Sequence, residues 1–342
     1  MQKLLTGAAY HGNRMLNHAE ADMREMADNN MNLVVHMFSH TDWDRHCHRM
    51  RDMVEISKAA GLEVWVDNWG LGGPPGDKSF FLALHPEAHQ YYSNGEMAPV
   101  HACLNSPAFR EFMHEWIDTV DYIGAKTIFW DEPHLPADSG HYACACPLCR
   151  KKFEEMYGHP MPEYLDEEAA EFRTATIVDY YRDICGYAAA CGITNTVCVM
   201  LHEQIGINLD SLDRLGAIDT LHNIGSDPYW NYSGANPYEF VYNGTRRNLE
   251  IANRLGKDHN IWIQAYGTPR GMEEEIVQAT EAAYDAGART ILAWSYMAGI
   301  SNDYSAQNPY LAWAKVKQAY ARIWEFERDR ILTENRAKFA VK

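Results

Sequence analysis

The sequence predicts an α/β chain folded as an eight-stranded (β/α)8 TIM barrel, and three observations carry that expectation. Short β-rich runs alternate with amphipathic helical segments along the chain, the runs are continuously apolar, and six of the helical segments end in glycine just before the next run. Continuous apolar runs suit strands covered on both faces, as in a parallel sheet wrapped by helices. Glycine at a helix end takes the left-handed cap. Eight such units close most simply into a barrel. An open doubly wound sheet would call for a Gly-x-Gly-x-x-Gly phosphate loop after the first strand, which is absent here.

Taken in order, Leu4–Ala9 is the first strand and Leu33–Phe38 the second. Ala60-Gly61-Leu62 precedes the third, Glu63-Val64-Trp65-Val66, and Ile123-Gly124-Ala125 precedes the fourth, Thr127-Ile128-Phe129-Trp130. Cys191-Gly192 leads into Thr196-Val197-Cys198-Val199, and Leu215-Gly216 into Ile218-Asp219-Thr220-Leu221. Leu255-Gly256 leads into Ile261-Trp262-Ile263, and Ala286-Gly287 into Thr290-Ile291-Leu292-Ala293-Trp294. Glu273-Glu274-Glu275 opens the seventh helix, where acids complement the dipole. The last helix, with Trp313, Tyr320, Trp324 and Phe326, is expected to pack on the barrel wall, its outer aromatics being available to a homo-oligomer. Residues 1–342 are read as one barrel domain with two insertions. The first, 70–105, carries the Gly72-Gly73-Pro74-Pro75-Gly76 turn cluster after strand three. The second, 134–170, carries a run of cysteines after strand four. Both fall at C-terminal strand ends, where such barrels keep their active-site loops.

Composition excludes several partners. The chain of 342 residues has 30 Lys plus Arg against 47 Asp plus Glu, a net charge of −17. Nucleic-acid affinity comes from cations neutralising phosphates, so the acid excess argues against it, and against anionic membrane surfaces. No apolar run approaches the roughly 18 residues of a membrane span. The first residues lack the apolar stretch of a secretory signal. Eight cysteines in this length do not make a disulfide scaffold. Cys47, Cys185, Cys191 and Cys198 are scattered and expected to be reduced, so a cytoplasmic location is the expectation.

Polar residues at the C-terminal strand ends are the candidates for chemistry. The ends read Tyr10-His11, His36 with Ser39-His40, Asp67-Asn68-Trp69, Trp130-Asp131-Glu132-Pro133, His202-Glu203, Ser226-Asp227-Pro228-Tyr229-Trp230, Gln264-Ala265-Tyr266 and Trp294-Ser295-Tyr296. Five carboxylates, Asp67, Asp131, Glu132, Glu203 and Asp227, therefore converge on one mouth. Buried acids are costly unless paired or used. Acid pairs with aromatic platforms suit sugar chemistry, since two carboxylates cleave a glycosidic bond and aromatic faces cover the apolar side of a pyranose. Trp69, Trp130, Tyr229, Trp230, Tyr266, Trp294 and Tyr296 are placed as platforms, and His36, His40, Asp67, Asn68, His202 and Gln264 as hydroxyl partners. Trp65 and Trp262, inside their strands, read as core.

Cys144-Ala145-Cys146-Pro147-Leu148-Cys149 is the sharpest local signal, with Cys103 at the base of the preceding insertion. Four sulfurs suit a closed, tetrahedral structural zinc site; His101 and His141 are alternative fourth ligands. Cys-x-Cys-x-x-Cys followed by Arg150-Lys151-Lys152-Phe153, soon after an acidic strand-four end, resembles the family 42 β-galactosidases and related barrel glycosidases. The resemblance covers residues 100–155 at motif level and the rest as architecture. It implies zinc on Cys103, Cys144, Cys146 and Cys149, and Glu132 as the strand-four acid/base. The chain departs from that family in two places. Asp131-Glu132 stands where the family has Asn-Glu, and the strand-seven nucleophile expected near Gln264 is not a carboxylate.

Asp227 is the first choice of partner acid. A strand-four Asp with a strand-six Asp also resembles retaining α-galactosidases and α-glucosidases, which would make Asp131 the nucleophile and Asp227 the acid/base. Otherwise Glu132 is the acid and Asp227 or Glu203 the second carboxylate, and the reach of Glu132 before Pro133 favours this arrangement. Three readings of function stand. One is a hydrolase of small oligosaccharides or glycosides. Another is a divalent-metal sugar isomerase, epimerase or lyase with His36, Asp67, His202, Glu203 and Asp227 as ligands. The third is a barrel that binds sugar without turnover.

Overall fold

Eight parallel strands close on one another in the computed structural model, which describes residues 3–12, 14–72, 79–200 and 209–340. They are β1 (Leu5–Tyr10), β2 (Leu33–Met37), β3 (Glu63–Asp67), β4 (Thr127–Trp130), β5 (Thr194–Cys198), β6 (Leu221–Ser226), β7 (Asp258–Gln264) and β8 (Thr290–Trp294). Each pairs with its neighbours in sequence. The barrel shuts where β1 meets β8, Leu5 opposite Thr290 and Ala8 opposite Ala293. The crossover helices are α1 (Leu16–Asp28), α2 (His40–Ala59), α3 (Pro107–Ile123), α4 (Glu167–Ala190), α5 (Leu209–Gly216), α6 (Pro237–Leu255) and α7 (Glu275–Asp285), followed by α8 (Pro309–Ala340). No helix among the described residues is long and apolar enough to cross a membrane.

Helix starts are fixed locally. Ser39 and Asp42 form a reciprocal capping box on α2, and Ser106, Asp166 and Asn236 cap α3, α4 and α6. At the helix ends, Gly61, Gly124, Gly192, Gly256 and Gly287 take positive φ as expected. Gly216 does not. It is required for space, because a Cβ there would stand 2.3 Å from Leu255 Cδ1.

Two strands begin elsewhere than their apolar runs suggest. Ile218-Asp219-Thr220 forms a turn, the Leu221 amide donating to the Ile218 carbonyl at 3.1 Å, and β6 starts after it. β7 starts ahead of its apolar run, at Asp258. The reason is shared: Asn260 points into the barrel and donates to Thr196 Oγ1 (2.9 Å) and Asn223 Oδ1 (2.7 Å), so polar residues occupy inner positions of both strands.

The pleat divides every strand between two cores. Inside the barrel, Ala9, Leu33, Val35, Met37, Trp65, Phe129, Cys198, Trp262 and Leu292 pack together, Trp65 and Trp262 being core as read. Outside, Val34, Val66, Ile128, Ile261 and Ile291 pack with the helices. The C-terminal helix braces the wall. Tyr320 donates to the Gly7 carbonyl at 2.7 Å, and Trp324 Nε1 to Thr6 Oγ1 at 2.9 Å.

Both insertions rise from the C-terminal rim. The first carries a hairpin of His89–Tyr91 with Met97–Ala102, and the second a small hairpin followed by a helix, Pro147–Tyr157. They are laced together by the Ala145 amide to the Tyr91 carbonyl (2.7 Å) and the Ser93 amide to the Tyr142 carbonyl (2.8 Å).

Candidate active site

Period-two alternation decides which strand-end residues reach the mouth, since neighbours on a strand face opposite sides. Inner positions run through Ala9 on β1, Phe129 on β4, Trp262 on β7 and Leu292 on β8. Two residues on from each, His11, Asp131, Gln264 and Trp294 fall at the mouth. Asp67 ends β3 on the same inner face as Trp65, and Asp227 continues the inner face of β6.

Four carboxyls gather there, and no Lys or Arg forms an ion pair with any of them among the described residues. Both Asp67 oxygens are buried without a well-formed hydrogen bond. Burial holds this carboxyl well above the usual range; the Trp69 backbone amide pulls the other way and the Glu132 charge adds to the rise. Asp131 is raised by burial and then by Asp67, Glu132 and Asp227, and its amide donates to Asn68 Oδ1 at 3.2 Å. Burial pushes Glu132 up to about 7. Asp227 is raised by burial and by Glu132, while its own backbone and the Cys198 thiol support its anion. Like charges brought together out of water cannot all ionise, so this cluster holds protons near neutral pH.

Glu132 sits at φ 34°, in the left-handed region disfavoured for a residue with a side chain. Such strain, on the order of 1 kcal/mol or more, persists where the surroundings over-determine it and is concentrated at functional positions.

Aromatic rings wall the mouth. His11 meets Trp69 edge-on at 4.7 Å and Trp294 at 5.1 Å, Trp294 rests on Trp262 at 5.4 Å, and Tyr229 meets Tyr266 at 5.4 Å. Tyr232 donates to the Tyr266 hydroxyl at 3.1 Å. Burial pushes His11 down to about 4, so it is a neutral imidazole at pH 7. Gln264 is fully buried, its Oε1 accepting from the Asn231 amide at 3.3 Å. His11 Nε2, Trp69 Nε1 and Gln264 Nε2 are buried without partners, and both Asp67 oxygens are buried without a well-formed hydrogen bond. Buried polar atoms are nearly always hydrogen-bonded, and a polyhydroxylated ligand would satisfy donors and acceptors mixed in this way.

Several expected site residues lie elsewhere. His36 faces outward on β2, its Nε2 2.9 Å from Ser57 Oγ on α2. Trp130 also faces outward, donating to Asn195 Oδ1 at 2.9 Å and packing on Trp116. Both were expected at the mouth, and the pleat turns each the other way while bringing Asp131 inward. Trp230 is buried beneath α7, donating to Glu275 Oε2 at 2.7 Å. Tyr296 donates to Asp22 Oδ1 at 2.9 Å and packs on Trp313. His40 sits at the start of α2 against Ser79 Oγ (3.0 Å), Trp43 and Phe112, on the outer rim. His202 and Glu203 lie outside the described residues. His11 and Cys198 are the members that residue-type reasoning undervalued; strand parity would have selected both.

A side cavity of about 70 Å³ opens beside Asp131 and Glu132, bounded by His101, His134, Gln90 and Tyr181. Burial pushes His101 down to about 4. The four sulfurs of Cys103, Cys144, Cys146 and Cys149 lie within 4.8 Å of one another, all buried. Cys103 Sγ stands 3.5 Å from Cys149 Sγ and 3.6 Å from Cys146 Sγ. These are not disulfide separations, which are about 2.05 Å. A tetrahedron with metal–sulfur bonds of about 2.3 Å has edges of about 3.8 Å, so the donor set fits a metal ion. Asn105 Nδ2 donates to Cys149 Sγ at 3.4 Å. The alternative ligands lie elsewhere, His101 at the side cavity and His141 beside Ser93 Oγ (3.3 Å) and Tyr164.

No protein-family profile and no curated protein sequence matches the chain. Solved structures do match, at the level of the fold. The catalytic domain of β-amylase from Paenibacillus polymyxa aligns over 92% of this chain and 97% of its own, with a TM-score of 0.64 at 12% identity. A β-galactosidase from Bacillus circulans sp. alkalophilus aligns over 94% of this chain and 56% of its own (TM-score 0.67, 10% identity). A GH42 β-galactosidase from G. stearothermophilus aligns over 94% and 56% (TM-score 0.68, 12% identity). The chain thus spans a little over half the length of these β-galactosidases, and it resembles the barrels of glycoside hydrolases, the family 42 group among them.

Proposed function

We propose that the protein is a glycoside hydrolase cleaving a small oligosaccharide or glycoside with two carboxyls, Glu132 as general acid/base and Asp227 as its partner. The observation that carries this reading is the mouth itself, where Glu132, pushed to about 7, stands among Asp67, Asp131 and Asp227 between Trp and Tyr walls. A carboxyl near 7 is half protonated at neutral pH, which suits protonation of a leaving glycosidic oxygen. The partner must be the anion. Asp227 is favoured because the Cys198 thiol and its own backbone both support its ionised form; Asp131, whose charge is opposed by three acids, is the second choice. Whichever acts, it attacks the anomeric carbon or takes the proton of an attacking water, while Glu132 gives its proton to the departing oxygen. His11, Gln264 and Asn68 would hold hydroxyls. The fold neighbours include an amylase and galactosidases, which agrees with this class of chemistry.

The cysteine cluster fits zinc in a structural role, tying Cys103 at the end of one insertion to Cys144, Cys146 and Cys149 in the other. The metal-dependent isomerase, epimerase or lyase has less support, because His36 faces Ser57 on α2 and not the mouth. A D-psicose 3-epimerase from Clostridium cellulolyticum H10 shares the fold at a TM-score of 0.50.

The test is release of aryl alcohol from α- and β-linked aryl glycosides by wild type and Glu132→Gln, with and without chelator. Turnover that disappears in the variant and survives brief chelation is expected. Turnover unchanged in Glu132→Gln overturns the acid assignment, and loss on chelation with immediate recovery on adding a divalent ion favours the metal-dependent reading.

A further inference from the structure

The side cavity beside Glu132 has a chemistry of its own. Gln90 is 2% exposed, and its Nε2 is committed to the Ala102 carbonyl at 2.8 Å, which leaves Oε1 as a buried acceptor without a donor. His101 and His134 line the same space, and the Nδ1 of each is likewise buried without a hydrogen-bond partner. Three residues from two insertions, each with an unpartnered buried polar atom, thus line about 70 Å³, room for a few waters or one short side arm and too little for a sugar ring.

We infer that this cavity is the subsite for an exocyclic hydroxymethyl group of a neutral hexose, an inference that rests on the glycosidase reading above. A hydroxyl can donate to Gln90 Oε1 and also pair with an imidazole nitrogen. A carboxylate has no proton for Gln90 and would be forced against Asp131 and Glu132 in the wall. The methylene would lie against Leu71 and Tyr181. The site therefore selects hexoses over the matching pentoses and excludes uronates.

Isothermal titration with three matched sets tests this: D-glucose, D-xylose and D-glucuronate; D-galactose, L-arabinose and D-galacturonate; D-mannose, D-lyxose and D-mannuronate. Wild type, Gln90→Met and His101→Leu are compared, each checked by thermal melting so that either variant alone suffices. In at least one set the hexose should bind about 10- to 100-fold tighter than its pentose, the cost of leaving buried partners unpaired, with the uronate no better than the pentose. That ratio should fall towards one in the variants. A folded variant that keeps the wild-type ratio overturns the inference, as does a pentose that binds as well as its hexose in every set, or a uronate that binds best. In those cases sugars still bind and the glycosidase reading stands. If no sugar binds at all, that reading fails and the subsite falls with it.

Discussion

Glu132→Gln is expected to abolish turnover and at the same time stabilise the protein above neutral pH. Burial lifts the Glu132 carboxyl from 4.5 to about 7. A raised folded-state value means that the folded protein holds this proton more tightly than the unfolded chain does. Stability is therefore undiminished below about 4.5, falls as pH climbs towards 7, and stays reduced above it. A shift of about 2.5 units corresponds to a ceiling of about 3 kcal/mol. Glu132 keeps some contact with solvent and its acidic neighbours adjust, so about 1–2 kcal/mol is the expected effect. For a chain of this length that is roughly 2–3 °C in Tm. Glutamine carries no charge at any pH and escapes the penalty. Scanning calorimetry of both proteins from pH 5 to 8.5 should show equal Tm at the acid end and a more stable variant at the alkaline end. The wild-type pH–rate profile should bend down with a limb near 7, and the variant should lose about 10²–10⁴ in rate. A variant that melts with wild type at every pH, or below it at pH 8, refutes the electrostatic argument even if activity is lost.

Other expectations are more compact. Asp227→Asn removes a negative neighbour, so any remaining activity should show its alkaline limb at lower pH; a limb that stays where it is would mean that the two groups do not feel each other. Cys103→Ser should lower bound zinc, read by elemental analysis, and lower Tm by several degrees, with kcat/KM of the folded fraction reduced far less. Full zinc content in that variant would remove Cys103 from the ligand set. Trp294→Ala should raise KM or Ki for sugars about tenfold through loss of an aromatic wall. Trp130→Phe should leave KM alone and cost about 1–3 kcal/mol of stability, because Asn195 Oδ1 loses its donor inside the core; the reverse pattern would put the wrong tryptophan in the mouth.

The barrel was legible because its signals are local and repeat: a capped helix, an apolar run, a turn. The two displaced strand starts show where that legibility ends, since Asn223 and Asn260 sit at inner positions and satisfy one another across strands, a pairing with no mark in either segment alone. The mouth was legible as a set of strand ends but not as a set of side chains. In a parallel barrel both faces of a strand are apolar, so composition does not show which of Trp130 and Asp131 points inward. Once a single inner residue of a strand is known, period two settles the rest: it removes His36 and Trp130, keeps Asp131 and brings in His11. The cysteine cluster was readable because three ligands lie on one short loop. The cavity of Gln90, His101 and His134 was not, because it forms only where two insertions meet.

The charge of the mouth bears on the class of reaction more directly than any single residue does. Burial raises Asp67, Asp131, Glu132 and Asp227, neighbouring charges of the cluster add to the rise at the three aspartates, and no Lys or Arg pairs with any of the four among the described residues, so each would be easier to ionise if positive charge developed nearby. Reactions that build an anion, such as enolisation or phosphoryl transfer, would be opposed by this field, and they use metal ions, Lys, Arg or amide donors at the developing charge. Glycosidic cleavage runs the other way, since its transition state places positive charge on the sugar ring. A site that is strained by its own negative charge in the resting protein is relieved as that charge appears, so the electrostatic cost of gathering these acids in the ground state favours the transition state. By the same reasoning a cationic iminosugar should bind more tightly than the neutral sugar of the same shape. Its affinity should rise with pH as the mouth loses protons, up to the pKa of the iminosugar itself. Calorimetric titration of such a pair across pH 5 to 8 measures this, and equal affinity for the two at pH 8 would show that the mouth does not favour positive charge.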